Sequence, residues 1–551
     1  MRASAGVLAA ATVTALAGLC SPALGASSNA TSASARSKSS AAAASSAGLD
    51  QLVSDEAVPP ADANSPAANL PAATLPVRSA APAVVGQWSA PFTPGNSVTA
   101  VHMVLMDTGK VLEWTMHYVK LPGDSYQSLQ AIASVYDPVT KKAKRVDPPI
   151  DNNIFCSYAT TLSNGDVLVV GGIDPDNGYS GQGVPIVLIF DPVAMTWTVA
   201  PSMNQGRWYP SVIHLADGRD VAIGGHLGGK RNAPNYDVEA FPATGIGPQV
   251  VAQYKVGAGE DMYPSEFQLP NGQIFSIVSK ATNYIDPVTW KITNGPALVA
   301  HQYTYPNGTI LPITPGGDFQ IQLTGGRSGG PQTSWGATTT SERIDMSSST
   351  TPAWQAKKPL PQPRTNTNTV LLPDGTLLMV GGNQSGNFGL GTYQALQYIP
   401  STDTWNVMAA QTKRRAYHST AVLMPDGTVL SGGDNGGGVG GGAALETYSP
   451  PYMFSTARPK ITAAPTTATR GTAITVNTSV AVQTLELIAP GAATHATDLE
   501  QRVVQLASTA TTPTSYVATL PADNTLPPGP YMLFAVDTHG VPSVATWVMV
   551  S

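Results

Sequence analysis

Cysteine is nearly absent from this 551-residue chain, with only Cys20 and Cys156 present. That excludes a disulfide-stapled scaffold and the four-cysteine sets of structural zinc sites. Charge is scarce too, at 12% of residues, and the formal net charge of -6 is mild. Without a basic excess there is no electrostatic footprint for nucleic acid or for an anionic membrane surface. No stretch beyond the N-terminus is apolar enough for a membrane-spanning helix. What the chain does have is glycine and proline, 53 and 47 residues, set as punctuation between short apolar runs. Hydrophobic residues at 42% supply a large core, so the composition is that of a turn-rich β protein.

Residues 1–26 read as a signal peptide. Arg2 gives the positive start, Gly6 to Leu19 form an apolar run too short to span a bilayer, and the small residues Ala23, Gly25 and Ala26 offer a cleavage site. Residues 27–86 are dominated by Ala, Ser, Thr and Pro and read as a flexible linker. Both readings place the mature protein outside the cell. Cleavage would remove Cys20 and leave Cys156 alone in an oxidising compartment, where it can form no internal disulfide. Such a cysteine is either a small buried hydrophobe or a residue with chemistry to perform. Asn-x-Ser/Thr triplets at Asn29, Asn307, Asn383 and Asn477 fit a secreted glycoprotein.

An internal repeat dominates the rest. A turn glycine followed by an apolar run recurs at Gly109, Gly165, Gly218, Gly272, Gly317, Gly375 and Gly427. Five of the runs end in Gly-Gly: Val167–Gly172, Val221–Gly225, Gln320–Gly326, Thr376–Gly382 and Thr428–Gly433. The spacing of 45 to 58 residues is the period of kelch-type propeller blades. Many units carry a later aromatic near a proline and a tryptophan, as in Phe190–Trp197 and Tyr398–Trp405. Each unit reads as four strands around a tight Asp-Gly-type hairpin, so residues 87–457 are expected to form a seven-bladed β-propeller. The fifth unit, with Gly-Gly-Asp at its turn, is the most irregular. From residue 458 to 551 the pattern changes to short alternating strands, the signature of an immunoglobulin-like β-sandwich.

The register of the repeat picks out a set of side chains. Eight residues before each turn Asp or Asn lie Cys156, Tyr209, Tyr263, Asn366 and His418, the last with Tyr417 beside it. Equivalent positions of a propeller lie at one height around its central channel, so these side chains should converge. Histidine with two phenols suits Cu(II), whereas zinc favours Cys, His and carboxylate. The same aromatics would also serve simply to fill the channel, and the spacing leaves both readings standing.

Four stretches resemble the galactose oxidase and glyoxal oxidase family of copper-radical oxidases. They are Ile154-Phe155-Cys156, Gly206-Arg207-Trp208-Tyr209, Arg415-Ala416-Tyr417-His418-Ser419, and Ala493-Thr494-His495 leading into Gln501-Arg502. The resemblance covers roughly residues 87–551. It implies a propeller followed by an early-set immunoglobulin-like sandwich. It implies one copper ion bound by Tyr209, Tyr417, His418 and His495, and a thioether joining Cys156 to the Tyr209 ring as the seat of a tyrosyl radical. Cys156, Tyr209 and Tyr417 would be catalytic, with Tyr417 taking the substrate proton.

Two departures from galactose oxidase bear on the substrate. The stretch after the Gly-Gly of the tyrosine unit reads His226-Leu227-Gly228, without the stacking tryptophan, and His301–Pro306 lacks the sugar-binding arginine. A third, the glycine-rich stretch Gly436 to Gly442 in place of a cysteine pair, affects only a loop staple. Trp208 and Met262-Tyr263-Pro264 look more like glyoxal oxidases; Trp208 would either shield the radical or fill a core. His102, His117, His214, His226, His301 and His539 read as structural or surface residues. The expected reaction is oxidation of a small aldehyde, as its hydrate, or of a primary alcohol by dioxygen, with hydrogen peroxide as product. Peroxide-using enzymes and cell-wall polysaccharide are the partners that such a product and such a linker suggest. The rival reading is a non-catalytic propeller that binds glycans or protein, with no metal and a thiol left at position 156.

Overall fold

The structure is a computed structural model. It describes residues 80–119, 127–150, 153–173, 183–227, 233–255, 262–299, 307–328, 336–347, 351–384, 391–434, 442–455 and 457–551. The signal-peptide reading and Asn29 lie outside these residues, as do nearly all of the linker and the stretches 301–306 and 436–441.

Among the described residues helix is confined to single turns at Pro82–Val85 and Pro451–Phe454. The rest of the regular structure is β. Before residue 457 it forms seven sheets with at least four antiparallel strands each. Their first strands are His102–Leu105, Tyr158–Thr161, Ser211–His214, Ser265–Gln268, Asn307–Ile310, Asn368–Leu371 and Ser419–Leu423. The seven turn glycines found in the sequence connect first to second strands. Each has a positive φ, from 73° to 93°. Each N–H donates to the carbonyl three residues earlier, as in Gly165 to Leu162 and Gly427 to Met424. Glycine supplies that conformation without Cβ strain, which is why the period was visible. The fifth sheet is the irregular one: a two-stranded ribbon, Arg327–Ser328 with Gly336–Ala337, interrupts it.

The first strands of the second, third and fourth sheets lie side by side in chain order, as do those of the fifth, sixth and seventh, and Ser419–Leu423 of the last lies against His102–Leu105 of the first. Between the fourth and fifth, Phe267 and Ile310 share one core. Gln87–Trp88, from the start of the described chain, pairs with Glu446–Ser449 and supplies the outer strand of the last sheet.

A recurring device locks sheet to sheet. Arg207, Arg364 and Arg415 are fully buried just before a first strand. Within its own sheet, Arg207 donates to the carbonyls of Gly224 and Asp237, Arg364 to those of Gly381 and Gln394, and Arg415 to those of Gly433 and Ala444. The backbone carbonyl of each arginine accepts an N–H from the Gly-Gly of the preceding sheet: Gly172 to Arg207, Gly326 to Arg364 and Gly382 to Arg415. A Cβ at Gly171 or Gly381 would collide with that carbonyl, so the second glycine signal is steric. Buried polar groups are costly unless satisfied, and here the terminal guanidinium nitrogens and the carbonyls serve one another, while each Nε is left without a hydrogen-bond partner among the described residues.

After residue 457 two further sheets stack face to face. Ile474, Val476 and Tyr516 of one share a core with Leu485, Leu533 and Val548 of the other. Alternating burial along Ala473–Thr478 marks the sandwich surface. One strand leaves the sandwich. Ala492–Thr494 pairs antiparallel with His102–Leu105 and also lies against Tyr158–Thr161, wedged between the first and second sheets.

Two expectations need correction. Asn307 and Asn383 are buried, and Asn307 Nδ2 donates to the carbonyls of Thr367 and Ala496, so neither is a surface acceptor for glycan. His102 is not a remote structural histidine; it lies at the ring of candidate side chains described next.

Candidate metal centre

The five positions set by the repeat register share an uncommon backbone. Cys156, Tyr209, Tyr263, Asn366 and His418 have φ of 60°, 64°, 46°, 53° and 68°. The left-handed region costs a non-glycine residue about 1–2 kcal/mol. Five such residues at equivalent places mark a site where the scaffold holds strain. Hydrogen bonds show how. The N–H of Tyr263 donates to the Tyr209 carbonyl at 2.8 Å, and that of Tyr209 to the Cys156 carbonyl at 3.0 Å. The chain continues to the Cys156 N–H, which donates to His102 Nε2 at 3.1 Å.

Tyr417 is positioned by an irregularity. Two positions separate Arg207 from Tyr209 and Arg364 from Asn366, but three separate Arg415 from His418. The extra residue places Tyr417 and His418 together, with ring centroids 4.0 Å apart. Asp434 fixes this segment by accepting from the Ala416 N–H and from the Arg414 guanidinium, each at 2.9 Å.

His495 follows the wedged strand, which carries it to the other four. Its ring lies 4.5 Å from His418, 4.8 Å from Tyr209 and 5.3 Å from Tyr417, and its Nε2 is 3.5 Å from Cys156 Sγ. The hydroxyls of Tyr209 and Tyr417 are in direct hydrogen-bond contact. Ligand atoms of Cys156, His418 and His495 all lie within 4.8 Å of one another. All five residues are buried.

The surroundings fix the His495 tautomer. Its Nδ1 is 2.6 Å from Thr494 Oγ1 and 3.2 Å from the Tyr263 hydroxyl. Thr494 Oγ1 already donates to the Val101 carbonyl and the Tyr263 hydroxyl to the Ser157 carbonyl. Both oxygens therefore accept from Nδ1–H, which leaves the Nε2 lone pair aimed into the cluster. Burial, and then His418 and His102, hold the His495 pKa well below its ordinary value. Burial and His418 do the same to His102. The loop beyond His495 is pinned by Asn307 on the Ala496 carbonyl and by Asp498, which accepts the N–H groups of Ala492, Glu500 and Gln501.

The donor set fits a dication. Ligating groups must lose their protons, and two phenols can surrender two protons while two imidazoles stay neutral. The buried site then carries no net charge, and N and O donors match Cu(II). Phe155 stands edge-on to His418 and His495 and keeps the interior apolar. Half-buried Trp208 stands edge-on to Tyr209 at 4.4 Å, beside His226, whose pKa burial lowers to about 4. His214 is structural, bridging Asp220 and the Pro528 carbonyl, and His539 is exposed. The side chains of His117 and His301 lie outside the described residues. Sequence reasoning missed the parts played by His102, Thr494 and Asn307, and it gave Tyr263 a register position but no role.

A buried cluster of two imidazoles, two phenols and a thiol, set among antiparallel sheets, has the donors to hold one redox-active metal ion. The chain matches the family described as glyoxal oxidase N-terminus over residues 123–441, and the galactose oxidase-like early-set domain over residues 458–550. It is 27% identical over 502 residues to a galactose oxidase of Gibberella zeae, covering 85% of this chain and 71% of that one. It is 29% identical over 441 residues to aldehyde oxidase GLOX of Vitis pseudoreticulata, covering 72% and 81%. Among solved structures, a fungal alcohol oxidase of the AA5 family in complex with copper aligns with a TM-score of 0.73 at 24% identity, over 85% of this chain and all of that one. The chain therefore belongs to the glyoxal oxidase family and is a copper-radical oxidase.

Proposed function

We propose that the protein oxidises a small aldehyde, as its hydrate, or a primary alcohol, reducing dioxygen to hydrogen peroxide, with one copper ion held by Tyr209, Tyr417, His418 and His495. The observation that carries this reading is the contact of the Tyr209 and Tyr417 hydroxyls, with the His495 ring 4.8 and 5.3 Å from theirs and its Nε2 3.5 Å from Cys156 Sγ. Copper supplies, when bound, a one-electron couple and a position for the substrate oxygen. Cys156 Sγ, joined to the Tyr209 ring as a thioether, makes that phenol easier to oxidise, so the second one-electron equivalent resides on Tyr209. Tyr417 takes the substrate O–H proton as general base. The Tyr209 oxygen takes the hydrogen atom from the substrate C–H. Dioxygen then accepts two electrons and two protons and leaves as hydrogen peroxide. Trp208, edge-on to Tyr209, shields that ring from solvent.

The seven sheets are read as the blades of a kelch-like propeller over residues 87–457, followed by a sandwich over 458–551. The equivalence of the seven glycine turns supports this. Residues 1–26 are read as a secretion signal and 27–86 as a linker. The aldehyde preference rests on His226 and Leu227 where galactose oxidase carries its stacking tryptophan. A substrate panel assayed for peroxide with the copper-loaded protein tests it. Glyoxal or methylglyoxal should show a higher kcat/KM than galactose, and the reverse order would refute the preference.

A further inference from the structure

The amide chain across the fourth, third and second sheets ends at Cys156, and a side chain takes it up. From the fourth sheet to the second, each left-handed residue donates its N–H to the carbonyl of its counterpart in the preceding sheet: Tyr263 to Tyr209, then Tyr209 to Cys156. The counterpart in the first sheet is Ala100, by the same count from the Thr108-Gly109 turn. The wedged strand Ala492–Thr494 separates the first sheet from the second. The Ala100 carbonyl instead accepts the Thr420 hydroxyl of the last sheet at 2.7 Å. His102 spans the gap. Its Nε2 accepts the Cys156 N–H at 3.1 Å, its ring stacks on Trp114 at 4.6 Å and 7°, and it is buried. Trp114 Nε1 in turn donates to the Ile154 carbonyl and to Ser157 Oγ, holding both sides of the cysteine. The direction of Cys156 Sγ is set by a backbone at φ 60°, and that backbone is held from the N–H side by this imidazole.

We propose that His102 is a positioning residue for cofactor assembly: it replaces the backbone acceptor displaced by the wedged strand and aims Cys156 Sγ at Tyr209. This rests on the copper-radical reading above. In the assembly step a C–S bond forms between Sγ and the Tyr209 ring carbon beside the phenol carbon. One S–H and one ring C–H break, and two electrons and two protons pass to dioxygen, which leaves as hydrogen peroxide. Only a correctly aimed sulfur reaches that carbon. His102 therefore governs how fast the link forms, while copper binding stays with residues it does not replace.

The experiment adds copper(II) and dioxygen to the reduced, purified full chain. It follows the loss of two hydrogens by intact mass, and of Cys156 thiol labelling, over time. His102→Gln keeps an acceptor, His102→Leu fills the space without one, and His102→Met stands in if the leucine variant does not fold. Wild type and His102→Gln should link at similar rates. The apolar variant should link at least ~10-fold more slowly while still binding one copper, in the range of losses seen when groups that orient a metal site's residues are removed. Linking of the apolar variant at the wild-type rate overturns the role of His102 and leaves the oxidase reading intact. A wild-type chain that never links overturns both.

Discussion

The two sides of the proposed metal centre are built differently. Cys156, Tyr209, Tyr417 and His418 stand on repeated sheets, where turn glycines recur at a fixed offset and a buried arginine recurs with one insertion before His418. His495 arrives on a single strand from the sandwich, held by contacts that occur once: Thr494 and Tyr263 on Nδ1, Asn307 on the Ala496 carbonyl, Asp498 on its loop. A repeat distributes its positional precision over many equivalent bonds. An inserted strand concentrates it in a few side chains, each of which should show in metal binding when changed.

The largest effect is expected where the inserted side is removed outright. His495→Ala takes away a proposed ligand and should weaken copper binding by more than the ~100-fold seen for outer groups, with peroxide production falling alike. His539→Ala, at an exposed histidine, should leave both near normal. Near-normal activity in the two variants alike would remove the sandwich from the site. The repeated side should fail in another way. Arg364→Met takes a donor from the Gln394 carbonyl and one of two from the Gly381 carbonyl, which keeps the Thr392 hydroxyl, and should cost about 1–3 kcal/mol of stability in urea unfolding, with copper affinity of the folded protein unchanged. A drop in copper affinity without loss of stability would erase the distinction between the two sides.

Thr494→Val probes the tautomer. It removes one of the two acceptors for His495 Nδ1–H and should lower copper affinity by ~10-fold with little change in unfolding. The smallest effect concerns the buried acid of the first sheet. Glu113 accepts from Ser97 and Ser134, and burial pushes its pKa from 4.5 to about 8. The folded state keeps the proton that the unfolded chain releases above 4.5, so this group's contribution to stability falls as pH rises from 4.5 towards 8. Glu113→Gln does not titrate. Between pH 4.5 and about 5.5 it should lose about 1 kcal/mol less stability than wild type, read from urea midpoints.

The same contrast explains what the sequence disclosed. The seven turns were legible because positive φ demands glycine at each of them. The register then delivered Cys156, Tyr209 and His418 by counting, since equivalent strands place equivalent residues. It also delivered Tyr263, whose role as an acceptor for His495 no spacing could show. His495 was reached only by resemblance, because one inserted strand leaves no period. His102 was passed over because its part depends on where that strand wedges, a tertiary fact. Asn307 and Asn383 were misread because a triplet carries no information about burial.

The convergence of Cys156 and Tyr209 on one register position has a chemical purpose if the two become covalently linked. Intact mass of the full chain, before and after exposure to copper and dioxygen, shows whether they do. The expected product is lighter by two hydrogens, with Cys156 no longer open to a thiol reagent and a Cys156–Tyr209 cross-linked peptide in its digest. An unchanged mass with Cys156 fully reactive would contradict it.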